Sequence, residues 1–150
     1  MKNLKIAGVL FTIIVIGAAV LGWRYSGDAE KSEKHNLIRV SAPGPNETVQ
    51  SPLLIKGEAR GYWFFEASFP IVLTDWGGRI IAQWYATAKD EWMTENFVPF
   101  EGTLEFENPA FPGADAGHFS RRGYLIFKKD NPSGLPEHDD ALEIPVLFGM

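Results

Sequence analysis

The stretch RIIAQWYATAK, from Arg79 to Lys89, decides the fold class of this chain. Apolar or small side chains occupy every second position, and polar ones alternate with them at Gln83, Thr87 and Lys89. This period of two is typical of a β-strand with one buried face. The pattern predicts one buried face made of Ile80, Ala82, Trp84, Ala86 and Ala88.

The same alternation recurs in Leu53–Ala59, Val98–Phe106 and Leu142–Phe148, and turn residues separate the runs. The DWGG stretch between Thr74 and Arg79 predicts a tight hairpin. Strand-like segments near Leu37, Leu53, Phe65, Ile80, Phe97, Tyr124 and Leu142 add up to about seven. The sequence therefore predicts an all-β domain, an immunoglobulin-like antiparallel β-sandwich, over residues 37–150.

The run from Ile6 to Trp23 contains no charged residue. As a helix these residues would extend roughly 27 Å, close to the thickness of a bilayer's hydrocarbon core. We expect a transmembrane signal anchor over residues 6–23, after a short tail over 1–5. A cleaved secretory signal and a buried globular helix are the alternatives.

Residues 24–36 are polar and lack periodicity, so they predict a flexible tether. Basic residues lie on both sides of the apolar run, so charge does not orient it. The expectation of a single-pass cell-membrane protein with an extracytoplasmic C-terminal domain rests on the fold.

Composition excludes several classes of protein. The chain has no cysteine, which removes thiol catalysis, thiolate metal sites and disulfides. Three basic residues and no acid precede Tyr25, so the net charge of -5 leaves -8 for the remainder. This acidic body argues against nucleic acid as a partner, because phosphate binding needs a basic stripe.

The stretch KKDNPSGLPEHDDALEIPV, from Lys128 to Val146, groups acids, a histidine and an asparagine in one loop and supplies three candidate metal ligands, Asp130, Asp139 and Asp140. An EF-hand does not fit, because Pro132 stands where an oxygen ligand is needed. Asn131 to Gly134 instead fit a type I turn at every position. Turn formation is thus the favoured interpretation, a cation site the alternative, and no cofactor is expected.

Aromatic residues give the remaining functional signal. Trp92 stands beside Asp90 and Glu91 in a predicted loop, an arrangement suited to gripping a sugar ring or a peptide. The GYWFF stretch predicts Trp63 and Phe65 on one strand face and the candidate ligand-binding residues Tyr62 and Phe64 on the other. The alternative is that both groups plug the ends of the sandwich.

No enzyme motif accompanies these residues. The chain lacks Gly-x-Ser-x-Gly, His-Glu-x-x-His and a glycine-rich phosphate loop. Asp90 and Glu91 form a carboxylate pair of the kind that a glycosidase uses, so an undetected envelope hydrolase is the weakest alternative.

Three stretches resemble one known family. WMTENFVPFEGTLEF, GYLIFKKDNPSGLPEHDDALEIPV and IRVSAPGPNETVQSPLLIKGEARGYWFFEASFPIVLTD are similar to the immunoglobulin-like domain of bacterial spore germination proteins, where it accompanies the GerMN domain. The resemblance covers about Ile38 to Val146 and implies a non-enzymatic envelope module. A GerMN domain and a lipobox cysteine are both absent from this sequence.

The expected function is therefore docking to an envelope protein or wall polymer, with the membrane as a second partner through the N-terminal helix. A carbohydrate-binding or peptidoglycan-binding role through exposed aromatic side chains is the alternative.

Overall fold

The computed structural model describes residues 34–150, so the predicted tail, membrane anchor and most of the tether lie outside the described residues. Leu37–Met150 form one compact unit. Within residues 34–150, no helix has both the length and the apolar character needed to cross a membrane.

Eight strands make up the domain. They are β1 (Ile38–Ala42), β2 (Thr48–Val49), β3 (Leu53–Arg60), β4 (Ser68–Asp75), β5 (Ile80–Ala88), β6 (Phe97–Leu104), β7 (Arg122–Lys128) and β8 (Ala141–Phe148). The sequence predicts about seven, and β2 is the additional one: it lies within the proline-rich stretch that predicts only a turn. Two residues give no detectable alternation, which is why periodicity misses it.

The strands follow the order β1-β3-β6-β5-β4-β7-β8-β2. Every neighbouring pair is antiparallel except β2 and β8, which run parallel. Strands β5 and β6 pair over only two positions, Thr87 with Glu101 and Ala88 with Phe100. This narrow connection divides the order into a group of three strands and a group of five.

The sheet folds back on itself at that connection. Three steps separate β6 from β7 in the strand order, which corresponds to about 14 Å in a flat sheet. The rings of Phe100 in β6 and Phe127 in β7 nevertheless lie 6.1 Å apart, and Phe100 also meets Phe69 of β4 edge-on at 5.0 Å. The all-β architecture is therefore consistent with an immunoglobulin-like β-sandwich whose aromatic core joins two layers.

The predicted alternation is confirmed in three strands. In β3, Leu53, Ile55 and Ala59 are buried. The same alternation buries Val98, Phe100 and Leu104 in β6 and Ile144, Val146 and Phe148 in β8. Gly102 of β6 marks the fold-back: a methyl group there would come within 3.3 Å of the Ala86 Cα atom in β5.

The prediction for β5 is wrong at Ile80 and Trp84, which are 56% and 65% exposed. At Ile80 the cause is a register shift between β4 and β5, which moves this residue off the predicted face. Strand β5 has β4 along its length on one side, but it meets β6 only at its C-terminal end. Alternation identifies the face of a strand, whereas burial also requires a second layer above that face. The preceding half of β5 lacks such cover, so Trp84 lies beside an open cleft between β5 and β6.

The prediction for GYWFF is also wrong. Gly61–Trp63 form a 3₁₀ helix, and Glu66 and Ala67 adopt positive φ values of 50° and 63° before β4 begins. Trp63 and Phe64 are consequently both buried, at 0% and 4% exposure. A period of two does not apply in a turn.

Candidate functional site: an aromatic cluster at the hairpin end

The strands place their connecting loops at two ends of the domain. One end carries residues 61–67, 89–96 and 129–140. The other, called here the hairpin end, carries the β4–β5 hairpin, residues 105–121 and the last residues after β8.

All the residues singled out from the sequence lie at the first end. Tyr62 is half-exposed, and Phe64 packs edge-on against Phe69 at 5.2 Å, so Phe64 is a core residue. Trp92 is partly buried and packs against the core. Asp90 and Glu91 are exposed, and Glu91 accepts a hydrogen bond from the Met93 amide at 3.0 Å.

Backbone contacts bring these loops together. The Gly61 amide donates to the carbonyl of Asn96 at 3.1 Å, and the Asp130 amide donates to the carbonyl of Trp63 at 3.1 Å. Gly61 is required here, because a side chain would overlap the carbonyl oxygens of Thr94 and Trp92.

The acidic loop has the geometry of a turn. The Gly134 amide donates to the Asn131 carbonyl at 3.2 Å. The carboxylate of Asp139 accepts from the Asn131 side chain at 2.7 Å, and that of Asp140 accepts from the Ala141 amide at 2.8 Å. Among residues 34–150, no three histidine or carboxylate side chains come together as metal ligands.

The hairpin end carries a feature that the sequence reasoning missed. Four rings, those of Trp76, Phe111, His118 and Phe119, form a contiguous set, called here the aromatic cluster. Phe119 lies at its centre, 4.8 Å from Trp76, 5.6 Å from Phe111 and stacked on His118 at 4.5 Å. Trp76, Phe111 and Phe119 are nevertheless 45–49% exposed. Rings that pack together but stay half in water are candidates for binding a partner.

Asp75 holds the hairpin that presents Trp76. Its buried carboxylate accepts hydrogen bonds from the amides of Gly77 at 2.9 Å and Arg79 at 3.0 Å, and pairs with the Arg79 guanidinium at 3.0 Å. Burial alone would raise the pKa of Asp75, but these hydrogen bonds and the arginine charge together lower it from 3.8. Gly78 completes the turn at φ +81°.

A second set of hydrogen bonds holds the other rings. The buried hydroxyl of Ser120 accepts from the Phe111 amide at 3.0 Å and lies 2.8 Å from His118 Nδ1. The Ser120 amide also donates to His118 Nδ1, which fixes that nitrogen as an acceptor and makes the Ser120 hydroxyl its donor. The cluster is therefore exposed but rigidly supported, which lowers the entropy cost of binding.

A weak sequence signal for this cluster exists. Phe111 and Phe119 stand in the glycine-rich stretch ENPAFPGADAGHFS, and Trp76 occupies a hairpin turn. Large rings in stretches that cannot alternate indicate exposure or loop packing. Their proximity across about 40 residues of chain follows only from the fold.

Strand order, mostly antiparallel pairing and the aromatic core define an all-β domain that is consistent with an immunoglobulin-like sandwich. A family model described as the immunoglobulin-like domain of bacterial spore germination matches residues 37–118, more than half of the chain. The chain therefore belongs to this family, as the sequence resemblance implies. The match includes Trp76, Phe111 and His118 and ends before Phe119. No curated protein and no solved structure matched the chain.

Proposed function

We propose that this chain is a non-enzymatic docking module of the cell envelope. In this proposal residues 6–23 anchor it in the membrane, its domain lies on the extracytoplasmic side, and the aromatic cluster contacts an envelope protein or wall component. The rigid, half-exposed cluster is the observation that carries the proposal. Membership of a family of immunoglobulin-like domains supports a binding role, and the family's association with germination supports a role near the spore envelope.

The positions of the candidate acids favour binding over catalysis. Asp90 and Glu91 are exposed on a loop and line none of the three described cavities within residues 34–150. A glycosidase needs two carboxyl groups that flank a substrate cleft.

Site-directed photo-crosslinking in native membranes tests the docking proposal. A crosslinker at Trp76 is expected to capture a discrete partner band, and one at Tyr85, an exposed aromatic residue outside the cluster, is not. The substitution Phe119→Ala should remove the band obtained from position 76. A band that also forms from position 85, or one that survives Phe119→Ala, would refute docking through the cluster.

Protease treatment of intact cells tests the placement. The domain should be cleaved from outside if it is extracytoplasmic. Protection in intact cells, followed by cleavage after lysis, would place it on the inner side.

A further inference from the structure

A small pocket lies against the aromatic cluster. Its volume is about 190 Å³, and its walls come from Asn108, residues 110–114, Arg121 and the two residues after β8, Gly149 and Met150. Phe111 belongs to both the pocket wall and the cluster. A molecule that enters the pocket is thus placed beside the exposed rings.

Arg121 gives the pocket a specific chemistry. Its side chain is only 9% exposed, and its Nε atom donates to the Phe148 carbonyl at 2.9 Å. Within residues 34–150, no carboxylate pairs with this guanidinium, and neither Nη group makes a hydrogen bond. A guanidinium has five N–H donors, so four remain available where Arg121 lines the pocket.

The other polar side chain in the pocket is already engaged. Asn108 donates to the Gly149 carbonyl and accepts from the Ala110 amide at 2.9 Å. The remaining side chains of the wall, including Ala110, Phe111 and Pro112, are uncharged. The unbonded Nη groups of Arg121 are not fully buried, so solvent reaches them, and a complementary anion can take the place of that water.

The single positive charge of Arg121 favours a carboxylate. A planar carboxylate matches the fork of a guanidinium with two parallel hydrogen bonds. One positive charge balances one carboxylate, whereas a phosphate monoester carries nearly two negative charges and would find no second cation among these walls. Because Phe111 belongs to both the pocket wall and the aromatic cluster, a short arm can join a carboxylate at Arg121 to a ring on the cluster.

The exposed rings indicate which kind of molecule carries the carboxylate. An apolar molecule favours an enclosed cavity, in which most of its surface is buried. A sugar ring instead stacks its C–H face on an aromatic side chain and keeps its hydroxyl groups in water. Rings that are 45–49% exposed offer a surface of this kind.

We infer that Arg121 binds the carboxylate of a sugar acid whose ring stacks on the aromatic cluster. The carboxylate stands on a short arm of the sugar, as in a lactyl ether. This inference rests on the proposed function, because both use the same cluster, and it identifies the wall component as an acidic glycan.

The test compares two sugars that differ in that arm. The full chain is titrated by calorimetry with N-acetylmuramic acid, which has a lactyl carboxylate, and with N-acetylglucosamine, which lacks it. We expect at least tenfold tighter binding of the acid, since hydrogen bonds to charged groups contribute more than neutral ones. Added salt should weaken binding of the acid and leave the neutral sugar unaffected.

Two variants and a control locate the site. Arg121→Gln should reduce the affinity for the acid to that for the neutral sugar. Phe111→Ala should weaken the binding of both sugars. It leaves the buried contact between Arg121 and Phe148 unchanged. Phe65→Ala, which removes a 41% exposed ring at the opposite end, should change neither affinity. If Arg121→Gln does not fold, the affinities of the unmodified chain and of Phe111→Ala for the two sugars still test the inference.

The outcomes separate the two proposals. Equal binding of both sugars, lost in Phe111→Ala, would overturn the carboxylate inference and retain docking through the cluster. If neither sugar binds but a protein is crosslinked in a cluster-dependent way, the carboxylate inference is again overturned and docking through the cluster is retained. Absence of both would overturn the inference and the proposed function together.

Discussion

Replacing Phe100 tests whether the sheet folds into two packed layers. The side chain is 1% exposed and lies 5.0 Å from Phe69 and 6.1 Å from Phe127 between ring centroids. Removing a buried phenylalanine to alanine costs about 3–5 kcal/mol, and each aromatic pair contributes about 0.5–1.5 kcal/mol beyond its burial. Because two such pairs are lost, we expect Phe100→Ala to lie in the upper part of the alanine range and to lower the unfolding free energy by about 4–5 kcal/mol.

Urea denaturation followed by tryptophan fluorescence measures this loss. Phe100→Leu keeps most of the apolar volume and should cost about 1–2 kcal/mol. The matched control is Phe65→Ala, whose ring is 41% exposed and whose loss should cost about 0.5 kcal/mol or less. If Phe100→Ala were no more destabilising than this control, the ring would not lie between two layers and the fold-back would be refuted.

Three further predictions concern stability. Because the pKa of Asp75 is held below 3.8, Asp75→Asn should lower the melting temperature at pH 7. That difference is fully present above about pH 4 and should vanish as the pH falls through the lowered pKa; a constant difference down to pH 2 would argue against it. Trp63 Nε1 is buried without a hydrogen-bond partner in residues 34–150, so Trp63→Phe should cost less than about 1.5 kcal/mol in urea denaturation. A cost equal to that of Trp63→Ala, about 3–5 kcal/mol, would indicate a missing hydrogen bond. Gly61→Ala should prevent cooperative thermal unfolding, because its methyl group would overlap the Thr94 carbonyl oxygen; a normal transition would contradict this packing.

The fold class could be predicted because alternation is a local property of the chain. Strands β3, β6 and β8 each bury three residues on the face that the alternation predicts, and the sequence shows this pattern directly. Trp84 shows the limit of the argument. Its strand and its face are read correctly, but its exposure of 65% depends on where β6 leaves β5, which is a property of the tertiary structure.

The candidate site could not be predicted for a related reason. Phe64 and Phe111 are the same residue type in irregular stretches, yet Phe64 is 4% exposed and Phe111 is 49% exposed. Phe64 follows a 3₁₀ helix that turns it toward Phe69, whereas Phe111 is held by the hydroxyl of Ser120. Neither contact involves adjacent residues, so local composition cannot separate a core ring from a binding ring.

Arg121 shows the same limit for a charged residue. It is the last residue of the 3₁₀ helix Phe119–Arg121, whereas the alternation that buries Leu125 and Phe127 begins with β7 at Arg122. Charge alone would place both arginines in water, and only Arg122 is exposed. The helical turn brings the Arg121 guanidinium to the Phe148 carbonyl, the one hydrogen-bond acceptor that it meets within residues 34–150. These two residues are 27 positions apart, so no local pattern indicates the contact, and the availability of this charge to a ligand follows only from the fold.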